Sequence, residues 1–146
     1  MPTPAETAVT LFSQHFNCSQ SVFSAFASQL GLDEKTALKL ASPFGGGVAR
    51  RGELCGAVTG ALLALGLGRG PDTPAGEEEI YRLSQEFMRR FEEKHASILC
   101  RNLINCDLST PAGYQAAKEK GVFRSICPAL VGDAVEIVQT LLVPEL

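Results

Sequence analysis

Hydrophobic side chains recur along most of this chain at the three- and four-residue spacing of an amphipathic helix. In segment 5–16, Ala8, Leu11 and Phe12 follow that spacing. Near the other end, apolar residues at helical spacing follow Pro128, and proline is favoured in the first turn of a helix. Few segments alternate between apolar and polar residues as a half-buried strand does. The pattern therefore predicts an all-α protein.

Glycine, proline and capping residues divide this pattern into a bundle of about six or seven helices. The predicted helical segments are 5–16, a second segment that Gly31 closes, Asp33 to Ala41, Cys55 to Leu67, Glu77 to His95, a turn over 100–105, Tyr114 to Lys120, and a last helix from Pro128. Pro71–Gly76 is the linker-like stretch, and the sequence contains no internal repeat. We expect residues 1–146 to form a single helical domain.

The composition is that of a globular domain without a nucleic-acid partner. Of the 146 residues, 45% are hydrophobic and 20% are charged, and the formal net charge is −3. The longest basic runs are two pairs, Arg50–Arg51 and Arg89–Arg90. A protein that binds duplex nucleic acid carries clustered Lys and Arg side chains, so we predict no such partner here.

Neither the first residues nor the apolar segments of the sequence predict secretion or a membrane span. Residues 1–6 lack the basic and apolar regions of a signal peptide. The stretch that we regard as most apolar, Ala57 to Leu67, is too short to cross a bilayer. We therefore expect a cytoplasmic protein, in a compartment where thiols are normally kept reduced.

The cysteines carry the chemistry that this sequence predicts. Of the five, Cys18, Cys55 and Cys127 fall at or just before predicted helix starts, and Cys100 falls in a first helical turn. A helix start offers unpaired N–H groups and a partial positive charge, which favour the reactive thiolate over the thiol. We expect Arg50–Arg51 to act in the same direction on Cys55. Because no C-x₂-C pair is present, any joint site must be assembled from distant positions.

Two other motifs have ordinary structural interpretations. Gly45–Gly47 lacks the preceding strand and the following G-K-[ST] of a phosphate-binding loop, so it predicts a turn. Glu92 and His95 form one E-x-x-H unit, which di-iron bundles use twice, and no second copy is present. We interpret His95 as part of a solvated helix end.

The segment from Phe44 onward resembles a known family. The triple glycine is followed by C-G-A-V-T-G at positions 55–60, and further agreement lies at 17–20, 100–104 and 127–131. Over nearly its whole length the chain resembles the C_GCAxxG_C_C proteins, which are described as redox-active. The resemblance implies that the family cysteines correspond to Cys18, Cys55, Cys100 and Cys127, with Cys106 as an extra cysteine. Asn105 stands where the family pattern leads us to expect glycine.

The resemblance also implies a cofactor, because a related domain in split-Soret cytochromes has a similar cysteine set associated with an iron–sulfur centre. Our leading hypothesis is a redox protein whose four family cysteines ligate an iron–sulfur cluster, of the [2Fe–2S] type, and exchange electrons with a partner protein. Four thiolates can close such a site, and the glycines at 45–47, 56 and 60 would let backbone approach the sulfurs.

Two alternatives stay open on the sequence alone. The same thiols could form reversible disulfides without a cofactor. They could also bind Zn²⁺, or lie buried in a structural or interaction module, as in a homodimer that packs through the small-residue face Gly56–Ala64.

Overall fold

The computed structural model describes residues 2–143, and within them the chain is helical and contains no strand. The helices are α1 (Pro4–Ser13), α2 (Cys18–Ala27), α3 (Glu34–Ala41), α4 (Gly56–Arg69), α5 (Glu77–His95), α6 (Cys100–Ile104), α7 (Pro111–Lys120), α8 (Val122–Ser125) and α9 (Cys127–Leu142), with 3₁₀ turns at Ser42–Phe44 and Pro74–Gly76. The all-α prediction is confirmed. Seven of these helices have eight residues or more, in line with the predicted number, and α6 and α8 are shorter.

Reciprocal capping fixes where the first two helices begin. The Asn17 side chain accepts a hydrogen bond from the Gln20 N–H (2.9 Å), and the Gln20 side chain accepts one from the Asn17 N–H (3.0 Å). Thr3 and Glu6 form the same capping box at the start of α1. These bonds satisfy N–H groups that a helix start leaves without a partner. Because Asn17 is the cap, Cys18 becomes the first residue of α2.

The core forms where α2, α4 and α9 meet, with α5 packed along them. The small residues of α4 let α2 approach closely, and a methyl group added at Gly60 would lie 2.6 Å from the Ser19 carbonyl oxygen. The residues of the Gly56–Ala64 face are buried inside this chain: Gly56, Ala57, Gly60, Ala61 and Ala64. The Gly56–Ala64 face is therefore not exposed for homodimer packing, since other helices of the same chain cover it, and formation of a homodimer stays a prediction.

The longest apolar helical segment lies near the C-terminus, and not at Ala57 to Leu67 as we expected. Val122–Leu142 is long and apolar enough, by length and composition alone, to cross a membrane. In the fold, however, α9 buries one face, including Val131, Val135 and Val138, against α1, α2, α4 and α5. This packing accounts for the apolar composition, as it does for any core helix.

The interpretation of His95 as part of a solvated helix end is wrong. Its Nε2 lies 2.9 Å from Oδ2 of Asp133, and its ring packs against that of Phe91 with centroids 4.7 Å apart. Lys94 also pairs with Asp133, at 3.3 Å. His95 therefore ties the end of α5 to α9, and it does not line the cavity described next.

Candidate redox site

The four cysteines singled out from the sequence lie at helix starts, as predicted. Cys18, Cys100 and Cys127 are the first residues of α2, α6 and α9, and Cys55 directly precedes α4. All four line one cavity of about 950 Å³ that opens to the surface. The side chain of Cys106 is half-buried between α6 and α7 and does not line this cavity. The fold therefore brings the family cysteines to one place and leaves Cys106 outside it.

A short antiparallel contact holds Cys55 and Cys100 side by side. Leu54 and Leu99 form an isolated bridge. The Cys55 N–H donates to the Ile98 carbonyl oxygen (2.8 Å), and the Cys100 N–H donates to the Glu53 carbonyl oxygen (2.7 Å). Backbone hydrogen bonds thus hold residues 53–55, which lead into α4, next to residues 98–100, which lead into α6.

Two glycines make room for the cysteine side chains. A methyl group at Gly47 would lie 2.7 Å from Cβ of Cys100 and 2.6 Å from the Glu53 nitrogen. One at Gly56 would lie 3.0 Å from Cβ of Cys18. At Gly47 and Gly56 the backbone thus approaches the Cβ atoms of two cysteines, whereas Gly45, Gly46 and Gly60 face other residues, and approach to the sulfurs stays a prediction.

The Cys18 and Cys127 side chains lie close enough for one thiol to donate a hydrogen bond to the other. This bond raises the pKa of Cys18 well above the ordinary thiol value, and burial and the nearby Cys127, Cys55 and Cys100 act in the same direction. The bond from Cys18 lowers the pKa of Cys127, although burial opposes the change. The two effects agree if the Cys18 thiol donates to a Cys127 thiolate. Ionisation of one sulfur of this pair is therefore favoured, and of the four cavity cysteines Cys127 is the one whose pKa is lowered.

Cys55 and Cys100 behave differently from our expectation that helix starts favour thiolates. Burial raises the pKa of Cys55 to about 11, against the opposing effect of the Ala57 and Val58 N–H groups. Burial and the nearby Cys55 and Cys127 raise the pKa of Cys100 to about 12. For these two cysteines, and for Cys18, whose pKa is raised as well, the prediction was wrong. At Cys55 and Cys100 the cost of removing a thiolate from water exceeds the stabilisation by the helix start.

The arginines near Cys55 also act differently from the prediction. Arg51 is exposed, pairs with Glu53 at 3.2 Å and is not among the residues that line the cavity. Arg50 lines the cavity, where its Nη2 donates to the Tyr114 hydroxyl (3.0 Å) and its guanidinium lies 3.9 Å from the centre of the Tyr114 ring. Arg124 lines the same cavity.

Sequence reasoning missed Tyr114 and Arg124 as parts of this site. Arg124 lies three residues before Cys127, but no local pattern marks either residue as part of a site, since only the fold brings α7 and α8 to the cavity. It also missed the backbone of Gly46–Arg50, where five successive residues have positive φ angles between 51° and 74°. The predicted turn is a left-handed segment, and it directs Arg50 toward Tyr114.

All five cysteines are free thiols. Within residues 2–143, no three His, Cys, Asp or Glu side chains are grouped closely enough to hold a metal ion. Ligation of iron or zinc by the four cysteines therefore stays a prediction.

Comparison with known proteins gives one result. A family model described as "Putative redox-active protein (C_GCAxxG_C_C)" matches residues 16–141, which is most of the chain and includes all four cavity cysteines. No curated protein and no solved structure gives a significant match. The family resemblance found in the sequence is thus confirmed, and this chain belongs to the C_GCAxxG_C_C family, which is described as redox-active.

Proposed function

We propose that this protein is a thiol–disulfide redox protein in which Cys127 is the attacking thiolate and Cys18 is the second thiol of the pair. The observation that carries the proposal is the hydrogen bond between these two side chains, which lowers the pKa of Cys127. A thiolate attacks disulfides whereas a thiol does not, and a second sulfur within hydrogen-bonding distance can complete the exchange.

The proposed exchange conserves atoms and electrons without a cofactor. The Cys127 thiolate attacks one sulfur of a substrate disulfide, forms a mixed disulfide and releases the other substrate sulfur as a thiolate. The Cys18 sulfur then attacks Sγ of Cys127, the bond between Cys127 and the substrate breaks, and the Cys18 proton goes to the departing thiolate. The substrate disulfide is reduced by two electrons to one thiol and one thiolate, and the thiolate takes up a proton from water. Cys18 and Cys127 are oxidised to a disulfide. The reverse sequence oxidises a dithiol substrate.

The wall of the cavity supports a thiolate at Cys127. Of its described lining residues, none is Asp or Glu, and Arg50 and Arg124 are both present. Cations stabilise a thiolate and carboxylates destabilise it. The charges of the described wall therefore suit a thiolate in the cavity, while the lowering of the pKa of Cys127 itself comes from Cys18.

Trapping of the mixed disulfide tests the assignment. Reduced protein is mixed with hydroxyethyl disulfide, quenched with acid and mapped by mass spectrometry. We expect a bond between Cys18 and Cys127 in the wild type, a mixed disulfide held on Cys127 in Cys18→Ser, and slow reaction in Cys127→Ser. Cys106→Ser is the matched control and should react like the wild type. Equal rates for Cys127→Ser and wild type would overturn the proposal.

A second candidate is iron–sulfur ligation by Cys18, Cys55, Cys100 and Cys127, with electron transfer to a partner protein. It is supported by the fact that all four thiols line one cavity free of carboxylates among its described lining residues. The four cysteines are chemically suited to a cluster, because thiolates are its usual ligands. In addition, the N–H groups of Ala57 and Val58 face the Cys55 sulfur and would stabilise its negative charge. When bound, a cluster would supply one-electron transfer.

Cys55→Ser separates the two candidates. Under the thiol–disulfide proposal this variant still forms the bond between Cys18 and Cys127. Under the cluster candidate, oxygen-free incubation with ferrous iron and sulfide gives wild-type protein visible absorption and bound iron, and Cys55→Ser loses both while Cys106→Ser keeps them. If wild-type protein takes up neither iron nor sulfide under these conditions, the cluster candidate is wrong.

A further inference from the structure

The arginines of the cavity differ from the others in their partners. Within residues 2–143, no carboxylate lies within ion-pair distance of Arg50 or Arg124. The remaining arginines face acidic side chains: Arg51, Arg69, Arg82, Arg89 and Arg90 form ion pairs, and Arg101 lies near Asp107. In the described part of the chain, the two guanidinium groups without a carboxylate partner are thus the two that line the cavity.

Arg50 is held in place by its backbone and by Tyr114. Val48, Ala49 and Arg50 all have positive φ angles, which are unfavourable for residues with a Cβ atom. The hydrogen bond from Arg50 to the Tyr114 hydroxyl, and the stacking on its ring, fix the guanidinium at the cavity wall. Tyr114 itself packs against Phe123 at 5.9 Å between ring centres. Such a fixed, unpaired cation is suited to an anion that enters from outside.

The size and polarity of the cavity limit what that anion is. A volume of about 950 Å³ is in the range of small-molecule sites and too small for a folded partner. Phe12, Phe16 and Phe123 provide an apolar wall. A ligand that uses both features has an apolar or aromatic body and a carboxylate.

We infer that the cavity binds small disulfides that carry carboxylates, through Arg50 and Arg124, and presents their sulfur atoms to Cys127. This inference rests on the proposed thiol–disulfide function and adds the substrate class. The two arginines select substrates that carry a carboxylate, and the exchange at Cys127 then follows the steps given above.

Two chromogenic disulfides test the inference. Dithiobis-nitrobenzoate carries two carboxylates, and dithiodipyridine is neutral. Reaction rates are measured by stopped flow in a Cys106→Ser background, so that Cys106 does not contribute. The selectivity is the rate with the anionic probe divided by the rate with the neutral probe, normalised to the same ratio for a free thiol such as N-acetylcysteine methyl ester.

We expect a normalised selectivity above one, and a loss of about three- to fivefold for Arg50→Met and for Arg124→Met, as suits cations at a partly exposed site. Arg51→Met is the matched control, because Arg51 is adjacent in sequence but pairs with Glu53 and does not line the cavity, and it should keep the wild-type selectivity. Added salt should lower the wild-type selectivity.

Binding without chemistry gives a second readout. In a Cys18→Ser/Cys106→Ser/Cys127→Ser variant, titration calorimetry with dithiobis-nitrobenzoate should detect binding that Arg50→Met and Arg124→Met weaken. Fast reaction with both probes, at a selectivity that neither arginine changes, would overturn the inference and leave the proposed function intact. Slow reaction with both probes, unchanged by Cys127→Ser, would overturn the proposed function instead.

Discussion

The ionisation of each cysteine in the cavity is decided by what surrounds its sulfur. Cys55 directly precedes a helix and faces two N–H groups, yet burial raises its pKa to about 11. Cys127 is also buried, but it has Cys18 as a hydrogen-bond donor and its pKa is lowered. The sequence could place these residues at helix starts because caps and proline mark such starts. It could not rank their acidity, because burial and the contact between Cys18 and Cys127 arise only in the folded chain.

The raised pKa of Cys55 makes stability depend on pH in the alkaline range. The unfolded thiol ionises near its ordinary value of 9.0, whereas the folded one keeps its proton up to about pH 11. Its contribution to stability is therefore fully present below about pH 9 and is lost as the pH rises through about 11. Between about pH 8 and about pH 10.5 we expect wild-type protein to lose about 2 kcal/mol more unfolding free energy than Cys55→Ser.

Urea unfolding followed by far-UV circular dichroism, in the presence of a reductant, measures this difference. The comparison with Cys55→Ser removes the contributions of Lys and Tyr side chains, which titrate in both proteins. Equal alkaline losses in the two proteins would show that Cys55 ionises as freely in the folded state as in the unfolded chain.

Among the helices, those with clear end signals were predicted well. Glu77–His95 is confirmed at both ends, and the last helix begins at Cys127, one residue before the predicted Pro128. Helix α8, Val122–Ser125, was missed because four residues are too few for a periodic pattern. Asn105, which stands where the family pattern led us to expect glycine, has a φ of 54° and ends α6 in the left-handed conformation that asparagine tolerates.

The close approach of α2 and α4 gives a prediction at this scale. Alanine usually stabilises a helix relative to glycine, but at Gly60 its methyl group would lie 2.6 Å from the Ser19 carbonyl oxygen and 3.0 Å from Ser19 Cα. We expect Gly60→Ala to destabilise the protein by about 1–3 kcal/mol and to displace α2, which carries Cys18.

Gly66→Ala is the matched control in the same helix. Nothing lies within 4 Å of a methyl group at Gly66, so this change should stabilise the protein by about 0.5–1 kcal/mol. Urea unfolding followed by circular dichroism measures both variants. Stabilisation by both substitutions would contradict the packing described for α2 and α4.

At the scale of the whole molecule, the redox site exists because chain segments far apart in sequence meet at one cavity. The cysteine set was predictable, since the C-G-A-x-x-G block and the family resemblance point to Cys18, Cys55, Cys100 and Cys127. Three features of the site were not predictable: the pairing of Cys18 with Cys127, the bridge between Leu54 and Leu99, and the placement of Tyr114. Each depends on long-range packing, for which one sequence contains no local signal.

This long-range pairing predicts how oxidation changes the stability of the molecule. A disulfide between Cys18 and Cys127 would close a loop of about 110 residues and restrict the unfolded chain, which in the loop-entropy treatment is worth up to about 5 kcal/mol. Loss of the hydrogen bond and of the Cys127 thiolate offsets part of this gain. We therefore expect the oxidised protein to be more stable than the reduced protein by about 2–4 kcal/mol.

Urea unfolding of the oxidised and reduced forms, with the single bond verified by mass spectrometry, measures this stabilisation. Cys18→Ser is the control and should show no such increase after the same oxidation. Because folding and disulfide formation are linked, a gain of about 3 kcal/mol lowers the reduction potential of the pair by about 65 mV relative to the same cysteines in the unfolded chain. An oxidised form less stable than the reduced one would mean that the bond strains the fold. The pair would then be a strong oxidant, contrary to the stabilisation expected from the long loop that the disulfide closes.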